Sequence, residues 1–174
     1  MLGTSLNQLN QFVKATFALN SEEIQRIVAP VDLPAVLLVV LLAGLSFAVG
    51  QIIILFVNRV KPARFLFSLL LNAVLFTFGF IFLVLSTWAI CQLPGSVTVP
   101  LPILIKLLGV SYAPLLFSFL GALPYLGAPL LLLLSVWRLL AAVVGFGAVA
   151  RVDLAEAFGY VAIGWFVLQL SEHT

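Results

Sequence analysis

The sequence predicts an all-α, polytopic membrane protein, a bundle of five transmembrane helices preceded by an N-terminal amphipathic arm. Hydrophobic residues make up 64% of the 174-residue chain and charged residues only 8%, whereas soluble domains carry about a quarter charged residues. Five apolar blocks are each long enough to cross about 30 Å of hydrocarbon. We therefore divide the chain into a membrane-surface arm, residues 1–30, and a five-helix domain, residues 31–174.

The arm predicts two short amphipathic helices. Leu9, Val13 and Phe17 recur at helical spacing with polar residues between them. Asn20 followed by Glu23 resembles a capping box that starts a second helix. We expect both helices to lie on the membrane surface and to anchor the first span, and docking of a partner is the alternative.

The connections between the apolar blocks are too short to hold a soluble domain. Asp32 is the expected N-cap of the first span, and Asp153 with Glu156 has capping spacing at the start of the last. The five predicted spans cover residues 34–57, 65–90, 102–120, 125–150 and 154–170.

One segment of the second span alternates like a strand, with phenylalanine at every other position: Phe76, Phe78, Phe80 and Phe82. Open sheet edges do not persist in lipid, so the segment is predicted to be helical with lipid-facing rings. A pigment or quinone at the periphery is the alternative. We expect no other cofactor, because the only cysteine, Cys91, and the only histidine, His173, offer no ligand set for haem or a metal.

Small residues spaced three or four apart predict where the helices approach closely. They occur in three of the predicted spans: Gly44 with Ala48, Ala141 with Gly145 and Ala148, and Gly159 near Ala162. The spacing predicts a packed bundle and is equally typical of a homo-oligomer interface.

Two basic residues interrupt the apolar blocks. Arg138 lies near the middle of the fourth span, and none of the six acidic residues lies inside the apolar blocks that hold Arg138 and Lys106. A charge at that depth is expensive and marks a candidate functional position. Lys106 lies about one turn inside the third span, so we expect its ammonium to reach the interface.

Pro114 provides an internal partner for Arg138 in our prediction. A proline inside the third span leaves the carbonyl of Val110 without its helical hydrogen bond. Tyr112 lies at the same level, and a tight corner makes the third and fourth spans antiparallel neighbours. We therefore expect Arg138 to donate to the Val110 carbonyl and to Tyr112, with two further acceptors, Asn72 and Gln51.

Three roles for Arg138 stay open at this point: a lock between helices, a contact with a partner's acidic residue or a lipid headgroup, and a transport pathway. Catalytic motifs and phosphate loops are absent from the sequence, so an enzyme is not expected. The few scattered basic residues do not form a face for nucleic acid. We expect a non-enzymatic membrane scaffold, assembly factor or accessory subunit that binds other membrane proteins and lipids. A small oligomeric transporter or channel is the alternative.

The chain resembles the Yip-domain family of small five-span membrane proteins. The resemblance rests on YAPLLFSFLGALPYLG, from Tyr112 to Gly127, followed by LLLLLSVWRLL with Trp137. It implies a compact bundle like that of bacterial and cyanobacterial members, in a bacterial plasma membrane or a thylakoid membrane. The acidic, tyrosine-bearing segment of Rab-binding members is absent, and Arg138 stands where the family would have an uncharged residue.

The resemblance also implies that the N-terminus is cytoplasmic. The positive-inside rule does not decide the orientation, because three basic residues in the first loop, Arg59, Lys61 and Arg64, face four on the N-terminal side, Lys14, Arg26, Lys106 and Arg151.

Overall fold

The computed structural model describes residues 2–28, 30–57, 62–93 and 95–172. Within these residues the chain forms seven α-helices and one 3₁₀ helix, without strands, which confirms the all-helical prediction. The helices are α1 (Leu2–Ala18), α2 (Ser21–Val28), α3 (Leu33–Val57), α4 (Pro62–Cys91), α5 (Leu101–Ser111), the 3₁₀ segment (Ala113–Ala122), α6 (Gly127–Ala150) and α7 (Leu154–Glu172).

Four of these stretches are long and apolar enough to cross a membrane: Leu33–Ile54, Leu66–Cys91, Leu101–Ala122 and Gly127–Ala150. Length and composition therefore identify a helical membrane bundle, as predicted. The fifth predicted span falls on α7, whose apolar stretch within the described side chains is Leu154–Ile163. A fifth crossing of the membrane stays a prediction.

The third span changes helix type at the predicted proline. α5 ends at Ser111, and the 3₁₀ segment then continues for ten residues with Pro114 in its first turn. Because Pro114 has no N–H, it cannot continue the α-helical ladder. A 3₁₀ helix of this length is uncommon and rises about 2 Å per residue, so the segment covers roughly 20 Å.

A serine of α3 supports the 3₁₀ segment from outside. The Ser46 hydroxyl donates to the Leu116 carbonyl at 2.7 Å and accepts from the Phe119 N–H at 3.1 Å. These two groups are three residues apart and would otherwise bond to each other in a 3₁₀ helix. Gly50 makes the approach close enough, because a Cβ there would lie 3.3 Å from the Ser118 carbonyl oxygen.

The small residues of α3 meet different neighbours from those that their spacing predicts. Gly44 faces the Phe76 ring of α4 rather than another backbone. The backbone contact lies on the adjacent face, with Ser46 and Gly50 against the 3₁₀ segment. In α6 the predicted stripe does pack closely, because a Cβ on Gly145 would collide with Leu107 of α5. Gly159 has open space around it.

The arm packs against the bundle, and its place on the membrane surface stays a prediction. As predicted, the Asn20 side chain caps α2 by accepting from the N–H groups of Glu22 and Glu23, at 3.1 and 3.2 Å. The inward faces of both helices are buried by contacts with α3, α5, α6 and the 3₁₀ segment, at Phe12, Ala15, Thr16, Ile24 and Val28. The sequence showed the amphipathic faces, but it could not show that the bundle leaves room for them.

α4 joins the bundle through its second half. Its buried residues lie from Gly79 to Cys91, and none of the side chains from Leu66 to Phe78 is buried. Among the described residues α4 packs against α3, α5 and α7, but not against α6 or the 3₁₀ segment. About 20 Å of α4, at 1.5 Å per residue, is therefore only partly covered by the described part of the chain, with Phe76 packed against Gly44 and Phe47 of α3.

Candidate interaction site around Arg138

Arg138 lies at the centre of its helix and on the face directed into the bundle. It is the twelfth residue of α6, roughly 16 Å from the start and 18 Å from the end at 1.5 Å per residue. Its side chain is only 6% exposed, whereas the outward residues Leu132 and Leu133 are 58% and 54% exposed. The guanidinium therefore lies at mid-depth in the apolar layer.

The break in the third span places Tyr112 against Arg138. Tyr112 is the residue between α5 and the 3₁₀ segment, and its side chain is buried. The guanidinium carbon of Arg138 lies 4.8 Å from the centroid of the Tyr112 ring, which is the geometry of a cation–π contact. The structure thus brings together the two residues that the sequence paired, and the contact is made through the ring face.

The hydrogen bonds predicted for Arg138 are not formed within the described chain. Its Nε is buried and has no hydrogen-bond partner. Val110 packs on the other side of α5, in a cluster with Phe12 and Val36. The Asn72 amide donates to the Ser68 carbonyl of its own helix at 2.9 Å.

Gln51 is likewise not bonded to Arg138 in the part of the chain that the structure describes. The guanidinium instead lies over the face of the Tyr112 ring. A cation–π contact partly offsets the desolvation of the charge, but it leaves the Nε–H donor without an acceptor.

An aromatic layer connects this site to α4. The Phe76 and Phe80 rings meet the Tyr112 ring edge to face, with centroid distances of 5.7 and 5.2 Å. Phe47 of α3 stacks on Phe76 at 6.2 Å. The alternating phenylalanines therefore divide by face: Phe78 and Phe82 are exposed as predicted, while Phe80 is buried in the layer. Tyr112 bridges the space between α4 and α6.

The acidic side chains that the structure describes lie away from Arg138. Glu22 pairs with Arg26 at 3.8 Å, and both side chains are 80% exposed. Asp32, Asp153 and Glu156 are also exposed and lie beside helix ends. Within the described side chains, the charge of Arg138 therefore has no carboxylate to balance it.

Trp137 ties α6 to the arm on the neighbouring face. Its indole N–H donates to the Thr16 carbonyl at 3.1 Å, and the Phe17 ring lies 6.0 Å from its ring. The Thr16 hydroxyl donates to the Phe12 carbonyl at 2.7 Å. Thr16 could not be recognised from the sequence, because its role depends on a residue 121 positions away.

The remaining predicted site residues have separate places. Pro114 is buried and sets the helix break that positions Tyr112. Lys106 is half-buried at the middle of α5. Only Arg138 and Tyr112 form the centre of the site, with Trp137 beside them.

The arrangement offers one kind of chemistry, the binding of an acceptor by a guanidinium in an apolar setting. The described residues contain no cluster of histidine, cysteine, aspartate or glutamate that could hold a metal ion. A groove between α1, α3 and the 3₁₀ segment is open and lined by apolar side chains apart from Ser46. The buried donor on Arg138 is therefore the feature that calls for a ligand.

No known family, curated protein or solved structure matches this chain.

Proposed function

We propose that this protein is a non-enzymatic membrane interaction protein, an assembly factor or accessory subunit of a larger membrane complex. The observation that carries the proposal is the buried guanidinium of Arg138, which has a donor without an acceptor at mid-depth. Intramembrane ionisable residues of this kind mark partner or substrate positions.

The free energies of inserting arginine and of the cation–π contact favour a partner for Arg138 over a purely internal lock between helices. Insertion scales make arginine at a helix centre unfavourable by about 2.5–3.5 kcal/mol and leucine favourable by about 0.3–0.6 kcal/mol. A desolvated cation–π contact offsets about 2 kcal/mol. The Tyr112 contact therefore leaves the arginine less favourable than leucine by about 1 kcal/mol or more. An acceptor from outside the described bundle would supply what is missing.

A transport role has weaker support. The groove between α1, α3 and the 3₁₀ segment is lined by apolar side chains apart from Ser46, so it offers few polar contacts along a path. Proton and ion carriers place carboxylates inside their spans, whereas the only acidic residue inside a predicted span of this sequence is Glu156, in the first turn of the fifth.

The proposed cellular setting follows from the resemblance to the Yip-domain family. Membership of that family, a bacterial plasma or thylakoid membrane and a cytoplasmic N-terminus are proposals that rest on Tyr112–Gly127 and Trp137. The membrane itself is supported by the four long apolar helices.

Purification from native membranes in mild detergent tests the proposal. We expect a membrane protein to co-purify in fixed stoichiometry with the wild type and to be lost from Arg138→Leu. Lys106→Leu is the matched control, because it removes a half-buried cation away from the site and should keep the partner. A pure homo-oligomer that moves a solute in liposomes would contradict the proposal.

A further inference from the structure

We infer that Arg138 binds a carboxylate carried at mid-depth by a transmembrane helix of another protein, and that this helix packs along the first half of α4. The inference rests on the proposed function and names the chemistry of the partner and its place of docking. Two features carry it: the unsatisfied guanidinium and the first half of α4, in which no side chain from Leu66 to Phe78 is fully buried.

The depth of Arg138 indicates that the acceptor comes from a protein side chain and not from a lipid headgroup. The guanidinium is held over Tyr112, roughly 16 Å or more from either end of α6. Lipid phosphates lie outside the hydrocarbon core, which is about 30 Å thick. A phosphate headgroup would therefore stay about a half-thickness away, whereas a side chain on a membrane helix can be placed at this level.

Charge complementarity indicates that the acceptor for Arg138 is a carboxylate. A guanidinium presents a rigid fork of donors that matches the two oxygens of a carboxylate. Interhelical pairing in a membrane also satisfies two polar groups that would each be unfavourable in lipid. A glutamate or aspartate near the middle of a partner's span meets both requirements.

A second copy of this chain cannot supply that group. Five of its six acidic residues lie outside the predicted spans and Glu156 lies in the first turn of the fifth, so two copies place no carboxylate at mid-depth within a span. The occupant is therefore a different membrane protein, although copies of the chain can still associate through other faces.

The first half of α4 is the surface that leads to the site. Its inward residues Leu69, Asn72 and Phe76 share one face at spacings of three and four, and each is only half-buried. Phe76 contacts Tyr112, whose ring lies against the guanidinium. A helix that packs on this face would cover the apolar side chains and bring its middle to the level of Arg138.

Designed helices in liposomes test the inference with the full-length protein. The probes are fluorescent 21-residue leucine–alanine helices that carry glutamate at the centre, glutamine at the centre, or glutamate one turn from an end. Binding is measured by energy transfer in phosphatidylcholine vesicles at pH 8. For the wild type we expect central glutamate to bind about tenfold more tightly than the other two probes.

In Arg138→Leu the preference for glutamate should fall to about twofold or less. Near-ultraviolet circular dichroism checks that the variant is folded. If it is not, Arg138→Gln gives the same readout with a neutral polar side chain. A preference that survives in the folded variant, or its absence in the wild type, would overturn the inference.

A photo-crosslinking amino acid at position 69 locates the docking face. We expect it to capture the central-glutamate helix, while the same group at position 132, on the exposed outer face of α6, should not. Equal capture at both positions would overturn the proposed place of docking. Binding of phosphatidylglycerol that depends on Arg138 would assign the site to a phosphate and overturn the carboxylate.

The two proposals can fail separately. If the native partner co-purifies equally well with Arg138→Leu, the carboxylate inference fails and the interaction function stands. If the designed helices behave as expected but no native membrane protein co-purifies, the interaction function fails and the chemistry of the site stands.

Discussion

The guanidinium of Arg138 lies on the face of the Tyr112 ring, 4.8 Å from its centroid, at the point where the third span changes from an α-helix to a 3₁₀ helix. The contact joins the centre of α6 to the only aromatic side chain at that break. It holds the charge at mid-depth and leaves Nε without an acceptor. The consequences of this arrangement can be tested one element at a time.

Ser46 should stabilise the 3₁₀ segment. In Ser46→Ala the Leu116 carbonyl and the Phe119 N–H both lose their bond to the Ser46 hydroxyl of α3. We expect the free energy of unfolding in bicelles to fall by about 1–2 kcal/mol. Ser86→Ala is the control, because that hydroxyl donates only to the Leu83 carbonyl of its own helix. Equal losses in the two variants would show that the bridge to α3 contributes nothing.

Gly109 should be required for the packing of α5 on α3. A methyl group there would collide with Val36, so Gly109→Ala must push the helices apart. We expect a loss of about 1–3 kcal/mol in the free energy of unfolding. Gly159→Ala has nothing within 4 Å of the new Cβ and should be neutral or stabilising by about 0.5–1 kcal/mol. If Gly109→Ala has the same free energy of unfolding as Gly159→Ala, the close packing of α5 on α3 at Gly109 is contradicted.

Trp137 should hold the arm in the bundle. Trp137→Phe removes the hydrogen bond to the Thr16 carbonyl and leaves the ring. We expect faster hydrogen–deuterium exchange in residues 10–28, with little change in α5. Trp88→Phe is the matched control, since Trp88 lies on α4, which does not pack against the arm in the described chain. Unchanged exchange in Trp137→Phe would mean that apolar burial alone retains the arm.

The helices and the break could be predicted because they depend on local sequence. Long apolar blocks indicated the spans, and Pro114 indicated where an α-helix would end. The ten-residue 3₁₀ segment could not be predicted, because the bond that supports it comes from Ser46, 70 residues away. An isolated serine in an apolar block is common and gives no signal of its partner.

The sequence predicted that Arg138 and Tyr112 lie together, but it did not predict how their side chains are oriented. The rise per residue and the tight corner placed Arg138 and Tyr112 at a similar level along the helix axes. The direction of the guanidinium depends on Phe76 and Phe80, which orient the Tyr112 ring from α4. Spacing within one helix does not reveal such a contact between helices, so the hydrogen bond expected to Val110 was wrong. For the same reason, the packing of the arm against the bundle was not predicted.

The stability of the isolated Arg138→Leu variant shows whether Arg138 serves a partner or locks the helices of its own bundle. If the arginine serves a partner, the substitution removes a buried charge whose cation–π contact only partly offsets its desolvation. The account then predicts a free energy of unfolding in bicelles that is unchanged or raised by about 1 kcal/mol. A loss of about 2 kcal/mol or more would contradict it, because Arg138 would then be a lock within its own bundle.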